Sequence, residues 1–368
     1  MSTVNVEQLH MLRDKIDEID AQLVALLNAR AAVSVTVGAI KADSTEPVFK
    51  PFREKEVFDK LKTRNTGPMP DSHLEAIYRE IISSSRRLQR PDRVVYLGPE
   101  GTFSYFAGLE YLGHQADMVP KDDFEGVFKS VSLGEAELGV IPLENSLQGT
   151  VGQCVDLFLR YPVYVQAELY FRVSHCLLGR ALSLGEIREV HSHPKALDQC
   201  GIWLKSNLSK AKPVPVESTA AAARKAAGAG AAIAAVGNAR LAEMFGLTIL
   251  ADRIEDLPDN WTRFLIIGPN PPGPGNRDKT SVLFSTPDKP GALAHILDIL
   301  AKGGINLTKL ESRPQSGERW KYVFFADLQC DLGLTEYETL LGQLKEACQT
   351  FRVLGSYPAG PSLDGSGK

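Results

Sequence analysis

The chain has 368 residues, 43% of them hydrophobic, and its 41 Lys and Arg against 45 Asp and Glu leave a formal charge of -4. That length exceeds what one hydrophobic core usually holds, so two or three domains are expected. The charge balance marks neither a nucleic-acid nor a membrane partner, and no signal-like N-terminus or bilayer-length apolar run is read. Cys154, Cys176, Cys200, Cys330 and Cys348 form no C-x-x-C pair, which fits free thiols in a reducing cytoplasm rather than a disulfide frame or a zinc site.

From Gln8 to about Lys41 the apolar residues Leu9, Leu12, Ile16, Ile19, Leu23, Leu26, Val33 and Val37 recur mostly in steps of three, four or seven. This predicts a helix about 50 Å long, at ~1.5 Å per residue. A ninety-residue unit cannot cover such a stripe by itself, so pairing with another chain is expected. Arg30 and Lys41, eleven residues apart, fall on that apolar face. A second helix opens near Pro51 with Glu54 at the start of its stripe, and a third runs from about His73 to Gln89 with Ser85 and Gln89 on its buried line. Burying such charges unpaired costs several kcal/mol. The pattern therefore predicts either an anionic polar guest or an internal ion pair of Arg30 or Lys41 with Glu54.

After a short linker at 89–92, Arg93–Leu97 reads as a strand running into Gly98-Pro99-Glu100-Gly101-Thr102-Phe103-Ser104, where glycine makes the turn and Thr or Ser caps a helix. This is neither a dinucleotide fingerprint nor a P-loop. Leu138–Leu143 is a buried strand ending in Glu144-Asn145-Ser146, at an edge where open α/β sheets bind ligands. A second lobe is expected to begin with strands at 163–171 and 173–178. His191-Ser192-His193-Pro194, a helix through Gln199, and Glu217-Ser218-Thr219 before an Ala-rich helix then follow. Lacking a third and fourth ligand, His191 and His193 read as a turn pair and not as a metal site. Asp259-Asn260-Trp261-Thr262-Arg263-Phe264 opens the apolar run 265–268 and offers a hydroxyl beside a carboxylate-matching guanidinium at a strand mouth. A Pro/Gly linker at 270–276 leads to a β-α-β-β-α-β order typical of ferredoxin-like modules. There Pro290-Gly291 leaves a bare helix N-terminus able to meet a carboxylate. Residues 359–368, rich in Gly, Ser and Pro, are expected to be disordered.

Three resemblances follow from these residues. Leu12-Arg13-Asp14-Lys15-Ile16-Asp17, Asn28-Ala29-Arg30, Val37-Gly38-Ala39-Ile40-Lys41, Arg53-Glu54 and Ile81–Ser85 with Gln89 resemble the all-helical chorismate mutases, which are intertwined dimers. The resemblance implies that Arg30 and a partner-chain Arg13 hold the substrate carboxylates with help from Ser85. It also implies that Lys41 and Gln89 bond the ether oxygen, that Glu54 bonds the ring hydroxyl, and that Arg53 supports them. Lys50 stands where many relatives carry an acid. The run from Arg93 to about Gly268 resembles the bilobal α/β prephenate dehydratases, implying that Thr262 assists departure of the ring hydroxyl. Arg263 belongs to the same motif, and Asn145, Ser192, Gln199 and Thr219 match substrate-contacting positions. The C-terminal module resembles the ACT domains of those dehydratases, with Gly291-Ala292-Leu293-Ala294 and Glu311-Ser312-Arg313-Pro314 where the family binds phenylalanine at a domain–domain interface; the usual Val is Ala294 here.

Together these imply a multidomain chain of the bifunctional chorismate mutase–prephenate dehydratase type: an all-α unit over 1–90, a bilobal α/β unit over 93–269 and an α+β ACT unit over 278–358. The expected ligands are chorismate, prephenate and inhibitory L-phenylalanine. A homodimer or larger homo-oligomer is expected, with no cofactor, no metal, no nucleic acid and no membrane partner. The first step needs a flexible dianion held in its reactive shape with donors aimed at the breaking C–O bond. In the second, aromatisation lets a donor as weak as a threonine hydroxyl suffice. The rival of another class is a non-catalytic amino-acid-binding protein built on the same lobes; a second rival keeps only one activity, the mutase being the one in question at Lys50.

Overall fold

A computed structural model describes residues 6–41, 49–90, 93–273, 275, 277–314 and 322–364. Pro91, Asp92, Pro274 and Asn276 of the two expected linkers, and tail residues 365–368, lie outside the described residues.

The N-terminal unit comprises α1 (Val6–Lys41), α2 (Pro51–Arg64) and α3 (Asp71–Gln89). Proline at the first position of α2 suits a helix start, where its missing N–H costs nothing. Helix α1 lies against α3 near Gly38, where an added Cβ would stand 2.8 Å from the Gln89 Cα, so the crossing needs glycine. The rest of the α1 stripe faces outward: Leu12, Ile16 and Leu23 are 55%, 56% and 50% exposed. By length and composition the span Glu7–Lys41 would also cross a bilayer, which corrects the expectation that no run is long enough.

The middle unit follows as β1 (Arg93–Leu97), α4 (Phe103–Leu112), β2 (Asp117–Lys121), α5 (Phe124–Ser132), β3 (Leu138–Asn145), β4 (Gly149–Thr150), α6 (Gly152–Arg160), β5 (Tyr164–Arg172), β6 (Cys176–Gly179), β7 (Glu189–Ser192), α7 (Pro194–Gln199), α8 (Gly201–Asn207), β8 (Lys212–Pro215), α9 (Thr219–Gly228), β9 (Ile233–Gly237), α10 (Arg240–Phe245), β10 (Thr248–Ala251) and β11 (Trp261–Gly268). The third unit has β12 (Lys279–Ser285), α11 (Ala292–Lys302), β13 (Leu307–Pro314), β14 (Tyr322–Leu328), α12 (Glu338–Ala347) and β15 (Thr350–Tyr357), and β16 (Ser362–Leu363) closes the described chain.

Two sheets build the middle unit. One runs β16-β5-β11-β3-β1-β2, with β4 on β3, and the other β10-β6-β9-β7-β8. Strand β5 thus belongs to the first lobe and not, as the sequence suggested, to the second; the chain crosses between lobes after β5 and returns before β11. The cause is long-range pairing, since β5 finds its partner in β11, Thr262 opposite Phe171. The tail is likewise ordered through Leu363, since β16 adds to β5 in parallel and the Leu363 side chain is buried. Four antiparallel strands in the order β13-β14-β12-β15 make the third unit, with α11 and α12 on one face. Its other face supplies Leu283, Val323, Phe325, Leu354 and Tyr357 to the core beneath β3 and β11.

Candidate active sites

Strand β11 sits between β3 and β5, and Thr262 pairs in register with Asn145 at the end of β3. Strand alternation sends Thr262 and Phe264 into a cleft of roughly 300 Å³ between the lobes. The Asn145 side chain is fully committed. Its Nδ2 donates to Asn260 Oδ1 (2.7 Å) and to Thr262 Oγ1 (3.0 Å), while its Oδ1 accepts from the backbone N–H groups of Leu147 and Gln148. Thr262 Oγ1 is therefore fixed as an acceptor, and its own hydrogen is left to donate.

Across the cleft, Gln199 lies beside a buried His175, with Gln199 Oε1 2.9 Å from His175 Nε2. Burial holds the His175 pKa below its usual value against the opposing pull of Gln199 and Glu255, and it lowers His193 too, helped there by Lys195. Because Gln199 Oε1 can only accept, His175 donates to it from Nε2, and the Gln199 amide hydrogens are left for a ligand. Helix N-termini converge on the same space. Thr102 caps α4 by accepting from Tyr105 N, and Ser218 caps α9 by accepting from Ala221 N (3.0 Å), with both caps lining the cleft. Exposed backbone N–H groups and the helix dipole favour an anion there.

The structure brings Thr262, Asn145, Gln199 and Thr219 together around this cleft, and it excludes two expected residues. Ser192 is fully buried, its hydroxyl donating to the Val236 carbonyl across the sheet (2.6 Å). Arg263, one residue from Thr262, points to the opposite face because a strand's neighbours alternate. There its guanidinium donates to Glu168 (2.7 Å) and to Asp327 of β14, with Tyr357 at 3.2 Å. His191 pairs with Glu189 (2.8 Å), whereas His193 caps α7 at the cleft. Sequence reasoning missed His175, Ser104 and Lys195. Of these, only Ser104 sat in a motif singled out from sequence.

In the helical unit, Arg30 donates to the Ser85 hydroxyl and to the Ile81 carbonyl. Gln89 Nε2 donates to the Ser85 carbonyl (3.2 Å), and half-buried Lys41 ends α1, one turn beyond the Gly38 that packs on Gln89. Glu54 is held in an ion pair with the third helix. Its partner is Arg86, a buried guanidinium the sequence reading overlooked. Arg53 turns outward to Glu56 (2.9 Å), away from the buried line, because it sits one residue off the stripe of α2. Arg13 is exposed on α1.

In the third unit a cavity of roughly 630 Å³ opens at the start of α11, lined by Gly291, Ala292, His295 and Lys302. Gly291, at φ +81°, takes the left-handed conformation glycine favours. Glu311 and Arg313 are not part of this cavity: on β13 they face the middle unit, where Glu311 meets Thr150 and Lys309, and Arg313 meets Asp156 (3.3 Å). Ser312 and Pro314 alternate to the exposed face. Lys309 also reaches Glu144 (3.0 Å), the residue before Asn145.

Three family models match the chain: Chorismate mutase type II over residues 12–90, Prephenate dehydratase over 94–272 and ACT domain over 280–346. A Bifunctional chorismate mutase/prephenate dehydratase of Aquifex aeolicus is 41% identical over 96% of this chain and 98% of its own length. One from Neisseria gonorrhoeae is 37% identical over 97% and 99%. Among solved structures, a prephenate dehydratase in complex with L-Phe from Arthrobacter aurescens is 31% identical with a TM-score of 0.65, covering 72% of this chain and 90% of that one.

Proposed function

The chain belongs to the family of bifunctional chorismate mutase/prephenate dehydratases, and from that membership we propose how its side chains divide the two steps. The protein rearranges chorismate to prephenate, then converts prephenate to phenylpyruvate, and it carries an ACT domain. The mutase unit is assigned to residues 1–90, the dehydratase to 93–269 and the ACT unit to 278–358.

In the mutase, Arg30 and a partner-chain Arg13 bind the two carboxylates with Ser85. Lys41 and Gln89 donate to the ether oxygen as the C–O bond breaks, and Glu54 accepts from the ring hydroxyl. None of these groups exchanges a proton covalently; they hold one conformer and stabilise charge developing on oxygen. The exposed apolar stripe of α1 supports a homodimer, with a second copy covering Leu12, Ile16 and Leu23. The five buried free thiols support a cytoplasmic setting.

In the dehydratase, the observation that carries the assignment is the Asn145–Thr262 hydrogen bond, which leaves the threonine proton to donate. Prephenate lies with its leaving hydroxyl at Thr262. The ring C–carboxylate bond breaks to release carbon dioxide, and its electron pair shifts through the ring to expel the hydroxyl on the opposite carbon. That group leaves as water, taking a proton through Thr262 that solvent replaces. Gln199 and the α4 and α9 N-termini hold the anionic ends of the substrate, and Asn145 acts by orienting Thr262. Phenylalanine is assigned to the Gly291–Ala294 end of α11. Since Glu311–Pro314 lie outside that cavity, a second ACT domain supplies them.

The test is to incubate purified protein with chorismate, follow prephenate and phenylpyruvate separately, and repeat with phenylalanine. Sequential appearance of both products and slowing of the second by phenylalanine are expected. Absence of all turnover would leave a ligand-binding protein.

A further inference from the structure

We propose that Arg86 is a positioning residue for the mutase reaction, acting through Glu54, and that the dehydratase unit is thereby part of the mutase's support. The proposal rests on the assignment of Glu54 above. The Arg86 side chain is only 5% exposed and engages both units. It meets the Glu54 carboxylate of α2 and the Leu112 carbonyl of α4, and it lies 5.5 Å over the Phe49 ring.

The contacts reach the dehydratase at the Leu112 carbonyl and around Phe49, while the contact with Glu54 stays within the helical unit. Glu54 belongs to the helical unit, whereas Leu112 ends the first helix of the dehydratase. A last-turn carbonyl carries the negative end of the helix dipole and suits a cation. Phe49 is 3% exposed and buried in the dehydratase core, with its ring 6.3 Å from that of Tyr111. Lys50 and Pro51 lead from Phe49 directly into α2, whose first turn carries Glu54. The carboxylate is therefore fixed twice: its helix is pinned where it starts, and its oxygen is held by a buried guanidinium that the Leu112 carbonyl and the Phe49 ring hold in place. The same docking surface is continued by Ser83, which accepts from Gln115 N (3.2 Å), and by Glu80, which meets His114 (2.8 Å). An isolated helical unit lacks the Leu112 carbonyl and the Phe49 pocket.

A carboxylate that must accept from one ring hydroxyl in one substrate conformer tolerates little displacement, and an error of about 1 Å can cost on the order of 100-fold. The experiment uses the full chain with Arg86→Met, Arg86→Lys, Glu54→Gln and the Arg86→Met/Glu54→Gln double variant. Chorismate and prephenate kinetics are measured on the same preparations. Arg86→Met is expected to lower mutase kcat/KM by roughly 10- to 100-fold, mostly in kcat. Arg86→Lys should restore part of it, and prephenate kinetics should stay within about twofold. With Glu54→Gln already present, Arg86→Met should add little, since residues acting as one unit are not additive.

Additive losses, an unchanged mutase, or equal loss of both activities in both Arg86 variants would overturn the positioning role. If Glu54→Gln alone runs at the wild-type rate, the assignment of Glu54 fails, and this proposal with it. If Glu54→Gln is slow while the Arg86 variants are not, the positioning role alone falls.

Discussion

Replacing Arg263 by Met tests whether this arginine is a strut or a substrate ligand. Its side chain is 4% exposed, between Glu168 at 0% and Asp327 at 1%. After the change Glu168 keeps Lys279 at 2.8 Å, while Asp327 keeps the Ser281 hydroxyl and loses its guanidinium. Removing one partner of a buried pair and stranding the other charge costs about 3–5 kcal/mol. At about 2–4 °C per kcal/mol for a body of this size, the midpoint should fall by roughly 6–20 °C. Asp327→Asn should cost less, about 1.5–3 kcal/mol, because Arg263 retains Glu168. Thermal unfolding with and without phenylalanine, alongside prephenate kinetics, reads both effects. An Arg263→Met protein with a wild-type midpoint and a KM for prephenate raised by orders of magnitude would refute the reasoning and return the guanidinium to the cleft.

Acidity should act through His175. Burial holds its folded pKa below the ordinary 6.5, so the unfolded chain takes up the proton first. Stability is then retained above about pH 6.5 and declines as pH falls through the folded value. Midpoints measured from pH 5 to 8 should show this slope, and His175→Gln should flatten it; equal slopes would exclude His175 as the cause. On α1, Ile16→Glu with Leu23→Glu places carboxylates in the stripe assigned to a second copy. Sedimentation should report monomers, and mutase activity should fall at least tenfold, because the partner's Arg13 is removed from the site and positioning alone is worth several kcal/mol. Unchanged mass and activity would mean the stripe is covered by something else.

The sequence disclosed most of the architecture because periodicity and punctuation are local. The apolar stripe of α1, the capped start of α4 and the β-α-β-β-α-β order all announced themselves. What it concealed was long-range. Arg263 was grouped with Thr262 because they are adjacent, yet a strand's two-residue period makes adjacency the reason they part. Arg86 lies off the line of Ser85 and Gln89, and its partners, the Leu112 carbonyl and the Phe49 ring, exist only after two units dock. His175 read as one residue of an apolar strand, and its partner Gln199 is 24 residues away. The tail looked unstructured by composition, but Leu363 is buried against a sheet edge no local pattern reveals.

The central claim is that one chain performs both steps at separate sites, the second under the hydroxyl of Thr262. Thr262→Val keeps the shape of the side chain and removes its proton. Given chorismate, this variant should make prephenate at the wild-type rate while phenylpyruvate formation drops on the order of 10²–10³-fold, the loss typical of one such donor. Phenylpyruvate appearing at an undiminished rate, or both products lost together, would contradict the account.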